Sequence, residues 1–169
     1  MINLQNNNAF KLTKIWVFMK KDKATKEKVE RIINAVNPYI DARGKIENYL
    51  LPQTINLLAT ITSKKGSIRA NHYHPEQEQM CLVISGSYVS VYKDLTISNS
   101  QIRHQIIKAG DLSIMPPNVA HTMIFLEDSV FLNLVNGNRD HNKFEEHTIK
   151  YELVKPSEID DYLHLYSNE

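Results

Sequence analysis

Two textures of apolar and polar positions meet near Gly44. Before it, Ile15 to Met19 form a short apolar run that predicts a strand. Val29, Ile32, Ile33 and Val36 then recur at the i, i+3, i+4, i+7 spacing of a helix, with Asp22 placed as an N-cap and Pro38 just past the end. After Gly44 the apolar stretches shorten, and strands are predicted at 54–62, 68–74, 79–84, 88–92, 102–108, 112–115, 121–125 and 130–135. Turn signals separate them at Lys65–Gly66, Ser85–Gly86, Ala109–Gly110 and Pro116–Pro117–Asn118. Many short strands at close spacing argue for a sandwich or jelly roll rather than βαβ units. The stretch 157–165 adds one short helix. The expected layout is one domain: an extension of strand and helix over 1–44, a barrel over 45–155 and a tail over 156–169.

Met80–Ile84 and Phe131–Val135 are apolar on both faces, whereas a sheet with one face in water alternates. Something must cover their outer side, either the N-terminal helix or a second subunit, and a homodimer is the expected assembly. The formal net charge of +1 over 169 residues argues against a nucleic-acid binder that works through a strong basic field. Lys20, Lys21, Lys23, Lys26 and Lys28 are broken up by Glu27 and Glu30 and are expected to form a solvated helix face. The start of the chain is polar and lacks the apolar core of a signal peptide, and no stretch approaches the roughly 20 apolar residues of a membrane span, so a cytoplasmic location is expected. The single cysteine, Cys81, sits among apolar neighbours and is expected to be an inert buried thiol.

The chemistry concentrates in two stretches. In the first, Gly66, His72, His74, Gln79 and Gly86 follow in order; in the second, Gly110, Pro116, Asn118 and His121. Positions i and i+2 of a strand share a face, so His72 and His74 project together. His121 arrives from a distant strand beyond a tight turn. Converging neutral imidazoles suit zinc, and also iron, copper and nickel. Gln79 and Glu78 lie on opposite faces, so only one looks inward. Arg69 is one residue off the alternation of His72 and His74 and faces away from them unless a bulge intervenes. His104, His141, His147 and His164 have no spacing that links them to this group.

The first stretch resembles the first cupin motif, with five residues between Gly66 and His72, four between His74 and Gln79, and six between Gln79 and Gly86. Gln79 stands where most metal cupins carry Glu. The second stretch resembles the second cupin motif, with Asn118 in a usual Gly position and Phe125 in place of a common Asn. The resemblance implies a cupin-type β-barrel, all-β, with His72, His74, Gln79 and His121 around a divalent metal such as zinc, iron, manganese or nickel.

A narrower resemblance, carried by Asp41 to Gly44 and by Arg69, His72, His74 and Gln79, is to the nucleotide-sugar branch of cupins, the dTDP-4-keto-6-deoxysugar 3,5-epimerases and 3,4-ketoisomerases. It implies a sugar or sugar-nucleotide substrate, metal-free proton transfer by His72 and His74, and substrate contacts from Arg69 and Tyr73. The chain departs from that branch in three places. Ala70 replaces a Gly, no Tyr follows the second motif between Phe131 and Asn136, and His121 stands where ketoisomerases commonly lack a histidine. Two other readings stay open: a metal-dependent cupin with dioxygenase or phosphosugar-isomerase chemistry, and a non-catalytic module that binds a small molecule.

Overall fold

The computed structural model describes residues 26–136 and 147–166. Twelve strands and a C-terminal helix are found among these residues. Arg31–Ile33 (β1) is followed by a hairpin of Val36–Asp41 (β2) and Gly44–Asn48 (β3). The barrel strands are Leu57–Ser63 (β4), Ile68–Tyr73 (β5), Gln79–Ser85 (β6), Ser87–Asp94 (β7), Arg103–Lys108 (β8), Leu112–Met115 (β9), Val119–Phe125 (β10) and Ser129–Val135 (β11). Ile149–Lys150 (β12) and a 3-10 turn at Pro156–Glu158 lead into Ile159–Leu165 (α1). All eight strands expected after Gly44 are present, and the expected tail helix is present.

Two five-stranded sheets face each other, in the orders β1-β9-β6-β11-β4 and β12-β5-β10-β7-β8. Between them lies a core of Val83, Tyr88, Ile107, Met123, Phe125 and Phe131, with the Phe125 and Phe131 rings stacked 5.9 Å apart. This is the jelly-roll barrel the strand pattern predicted. No helix among the described residues is long and apolar enough to cross a membrane.

The expected N-terminal helix is corrected where it can be seen. Residues 26–30 have no regular structure, and Val29 to Val36 lead into β1 and β2. Sheet formation overrides the helical spacing: β1 pairs antiparallel with β9, placing Ile33 opposite Leu112. Val29 packs on Tyr92, Met115 and Val119, while Ile33 packs in a cluster with Met80, Leu112, Ile114 and Leu134. β-branched residues fit a pleated, half-buried surface at least as well as a helix. The start of the expected helix and the strand at Ile15 to Met19 lie outside the described residues.

Part of the outer face of each sheet is covered by the chain itself, while Leu58 on β4 and Ile84 on β6 stay exposed. Ile33, Tyr49 and Ile55 lie over Met80, Ile114 and Leu134. Val154, Ile159, Tyr162 and Leu163 lie over Val89, Val91 and Ile124. The apolar runs thus reflect a second, partly covered face on these strands.

Gly86, in the turn from β6 to β7, has φ +78°. A Cβ there would stand 2.6 Å from the Asp128 carbonyl oxygen and 2.8 Å from the Ser129 Cα, and would also overlap the Ser129 hydroxyl. Both the backbone conformation and the space require glycine. Gly86→Ala is expected to cost about 3 kcal/mol, from left-handed strain plus overpacking. Urea denaturation will read this as a lower midpoint at unchanged slope.

Candidate active site

The register of the second sheet assembles the site. His121 on β10 stands directly opposite His72 on β5, and the pairing slips at the next step, so that Thr122 faces Ala70. The extra residue is Asn71, and both Ala70 (φ +67°) and Asn71 (φ +54°) are left-handed. Asparagine tolerates this conformation well. Its side chain also secures the bulge: Oδ1 accepts from the Thr122 hydroxyl (2.6 Å) and the amides of Leu153 and Val154 (3.0 and 3.1 Å), and Nδ2 donates to the Val154 carbonyl (2.8 Å). A bulge of this kind re-aims side chains along a strand.

The three imidazoles converge. Ring centroids lie 4.8 Å apart for His72 with His74 and for His72 with His121, and 5.6 Å apart for His74 with His121. Their nearest ligand-forming nitrogens all fall within 4.8 Å of one another. His74 and His121 are buried, while His72 is half-buried as a residue with its Nε2 atom itself buried. Of the two residues at the head of β6, Gln79 is the one that looks inward. Its Oε1 lies 3.1 Å from His74 Nε2 and 3.0 Å from His121 Nε2. Glu78 instead meets Arg31 at 3.0 Å, away from the group.

Backbone carbonyls fix the orientation of two rings. His74 Nδ1 lies 2.8 Å from the His147 carbonyl, and His121 Nδ1 lies 3.0 Å from the Val119 carbonyl. A carbonyl can only accept, so Nδ1 carries the proton in both rings and Nε2 turns its lone pair inward. His147, which the sequence left apart from the site, therefore anchors it through its backbone. Burial pushes the His121 pKa down to about 4, with the Val119 contact opposing and His74 adding to the depression. His121 is thus neutral at physiological pH, as a ligand or a hydrogen-bond acceptor must be.

The two residues expected to contact substrate, Arg69 and Tyr73, lie away from the imidazoles. Arg69 pairs across the sheet with Met123, so the bulge does bring it to the inward side. Its guanidinium, however, reaches across to β4, donating to the Ser63 hydroxyl (2.6 Å) and the Thr62 carbonyl (2.7 Å). It lines a surface groove with Ser63, Ser67, Asp128 and Ser129, and no imidazole borders that groove. Tyr73 falls on the face opposite His72 and His74, paired with Ile149 and edge-on to Tyr151 at 6.5 Å.

Two residues near the imidazoles were not expected. Asn133, fully buried on β11, accepts from Gln79 Nε2 at 3.3 Å. Glu30 enters a cavity of about 10 Å³ that it shares with Gln79, Cys81, Ser113 and His121. Its carboxylate accepts from the Ser113 hydroxyl and from Gln105 Nε2 (2.8 Å). Burial raises its pKa, against the pull of its hydrogen bonds to Ser113, Gln105 and Ser90. The signal for Asn133 was a lone polar residue inside an apolar strand; Glu30 was hidden by the helical spacing around it.

The donor set fits a divalent cation. Three imidazoles with ligand-forming nitrogens within 4.8 Å of one another converge with one amide oxygen, which lies 3.0–3.1 Å from two of them, and imidazole and amide oxygen are both ligand types for divalent ions. His72, His74, His121 and Gln79 would hold it.

A family model described as "Cupin" matches residues 46–155. No curated protein matches the chain. Solved structures share the fold. The 3,4-ketoisomerase QdtA from Thermoanaerobacterium thermosaccharolyticum, in complex with TDP, is 18% identical with a TM-score of 0.61, over 82% of this chain and 95% of that one. A 3,4-ketoisomerase from Helicobacter canadensis is 21% identical with a TM-score of 0.61, over 83% and 98%. The dTDP-4-dehydrorhamnose 3,5-epimerase from Elizabethkingia anophelis NUHP1 is 20% identical with a TM-score of 0.57, over 70% and 74%.

Proposed function

The chain belongs to the cupin family, and from that premise we propose that it is an isomerase or epimerase of a 4-ketosugar carried by a nucleotide. The observation that carries this reading is the convergence of three imidazoles in one buried group, with His72 the half-buried one. A proton beside a ketone is acidic enough for a neutral imidazole to remove once the enolate oxygen is stabilised. In this reading His72 takes that proton. The electrons of the C–H bond move to the ketone oxygen, and the protonated ring returns the proton to another face or carbon. His74 and His121, each tied through Nδ1 to a carbonyl, keep the inner wall rigid. The similar 3,4-ketoisomerase bound to TDP supports a nucleotide-linked substrate.

The donor set favours a second reading, a metal-dependent cupin of other chemistry. A bound divalent ion would act there as a Lewis acid on a carbonyl or enolate oxygen.

Incubation with dTDP-4-keto-6-deoxyglucose in deuterium oxide tests the proposal. Deuterium at C3 or C5, or a rearranged ketosugar, is the expected result, by NMR and mass spectrometry. Neither product, from folded protein with and without added Zn²⁺, would sink it. Activity that survives a chelator supports the metal-free mechanism; activity lost to a chelator and restored by a metal supports a metal-assisted form of the same reaction, and a stoichiometric metal in protein that leaves the ketosugar unchanged supports the second reading.

A further inference from the structure

Asn133 and Gln79 form a pair of buried amides whose hydrogen bonds do not balance as they stand. Both inner nitrogens, His74 Nε2 and His121 Nε2, present lone pairs, and Gln79 turns its own acceptor, Oε1, toward them at 3.1 and 3.0 Å. On its other side Gln79 Nε2 donates to Asn133 Oδ1 at 3.3 Å, and the Cys81 sulfur lies 3.8 Å from the same oxygen. Asn133 Nδ2, meanwhile, is buried with no hydrogen-bond partner. Three acceptors meeting with no proton between them are stable around a cation.

The same outline fits the opposite arrangement. An amide turned by 180° exchanges its donor and acceptor with almost no change of shape. With both amides turned, Gln79 Nε2 donates its two protons to His74 and His121. Gln79 Oε1 then accepts from Asn133 Nδ2 and from the Cys81 thiol. The NH₂ of Asn133 gains Gln79 Oε1 as its acceptor, the Asn133 oxygen takes the buried place where Nδ2 had no partner, and no cation is needed between Gln79 and the two rings. The two amides must turn together, because two oxygens or two NH₂ groups cannot face each other across 3.3 Å.

We propose that Asn133 is a positioning residue that sets the direction of the Gln79 amide, and that this direction decides whether the imidazole nest accepts a divalent cation or works as a closed, metal-free hydrogen-bond network. The proposal rests on the reading of the nest as a cation site and assigns its control. It also gives Gln79 a reason to be an amide. A carboxylate at that position would present oxygens on both sides and could not close the metal-free network.

The probe is Zn²⁺ itself, titrated into metal-free protein with side-chain amide and imidazole ¹⁵N resonances observed. In metal-free wild type, the Gln79 amide protons are expected to show hydrogen-bond couplings to His74 and His121 Nε2. Saturating Zn²⁺ should remove those couplings and shift the Gln79 and Asn133 amides together. Asn133→Asp, which can only accept when ionised, should hold Gln79 Oε1 toward the imidazoles and tighten Zn²⁺ binding. Asn133→Leu, which offers no acceptor, should weaken it roughly tenfold, the usual scale for a group that orients a ligand. Zn²⁺ binding that leaves both amides unmoved, or that is equal in wild type and both variants, overturns the proposal. Should Asn133→Leu fail to fold, Asn133→Asp and the wild-type spectra decide the matter. Wild type that takes up no Zn²⁺ yet keeps the couplings would refute the cation reading while leaving the amide pairing standing.

Discussion

Asparagine in place of His72 is expected to lower turnover of a 4-ketosugar nucleotide by about a thousandfold, the middle of the range for loss of a general base. The substitution removes the ring nitrogen and leaves a polar group of similar reach. His72 is half-buried, whereas His74 and His121 are buried and bonded to backbone carbonyls, so the folded state should tolerate the change there best. The loss should appear in kcat as well as in kcat/KM, because proton removal is made in the transition state and not in ground-state binding. Deuterium exchange at the carbon beside the ketone should fall in parallel. If His72→Asn keeps a tenth or more of the exchange rate while remaining folded, the base lies elsewhere in the group. His74→Asn is a poorer test, since its ring also bonds the His147 carbonyl and Gln79, and its loss should reduce stability together with activity.

Much of the barrel was legible because strands announce themselves by local means. Short β-rich runs between Gly, Pro and Asn turns need no knowledge of distant partners, and 112–115 matches β9 residue for residue. The N-terminal segment was misread because Val29, Ile32, Ile33 and Val36 satisfy a helical period by accident. Val29 and Ile33 pack on two different clusters, around Tyr92 and around Leu112, β1 takes the edge offered by β9, and Ile32 stays exposed. That information is tertiary and lies outside the segment. The imidazoles were legible by strand parity, since His72 and His74 are two apart and His121 follows a turn. Arg69 was harder. Parity reverses at a bulge, and the left-handed pair Ala70 and Asn71 carries no glycine to announce it. Even with the face known, the hold that Ser63 and Thr62 keep on the guanidinium depends on how closely β4 approaches β5. Glu30 and Asn133 escaped for the same reason, since each gains meaning only from the cavity wall it completes.

Acid should unfold the protein through His121. Its pKa in the folded state lies at about 4, against an ordinary value of 6.5, because burial opposes the charged ring. Between those values the unfolded chain binds the proton and the folded one does not, so stability rises with pH across the window and is lost as pH falls from 6.5 toward 4. At about 1.4 kcal/mol per unit, the loss amounts to about 3 kcal/mol, a large share of the 5–15 kcal/mol that holds a domain of ordinary stability. Glu30 acts with the opposite sign. Its folded pKa is raised by burial, so the folded state holds the proton more tightly than the unfolded chain. Its contribution is complete below the unfolded value of 4.5 and disappears as pH rises through the folded one, offsetting part of the His121 loss on acidification. Two variants separate the terms. His121→Gln should flatten the acid limb of stability measured by urea denaturation at pH 7, 5.5 and 4, while Glu30→Gln should steepen it by removing the opposing term. A His121→Gln protein with the same acid slope as wild type would show that the proton enters elsewhere. Zn²⁺ at saturating concentration should steepen the wild-type slope further, since protons and the cation compete for the same ring nitrogens.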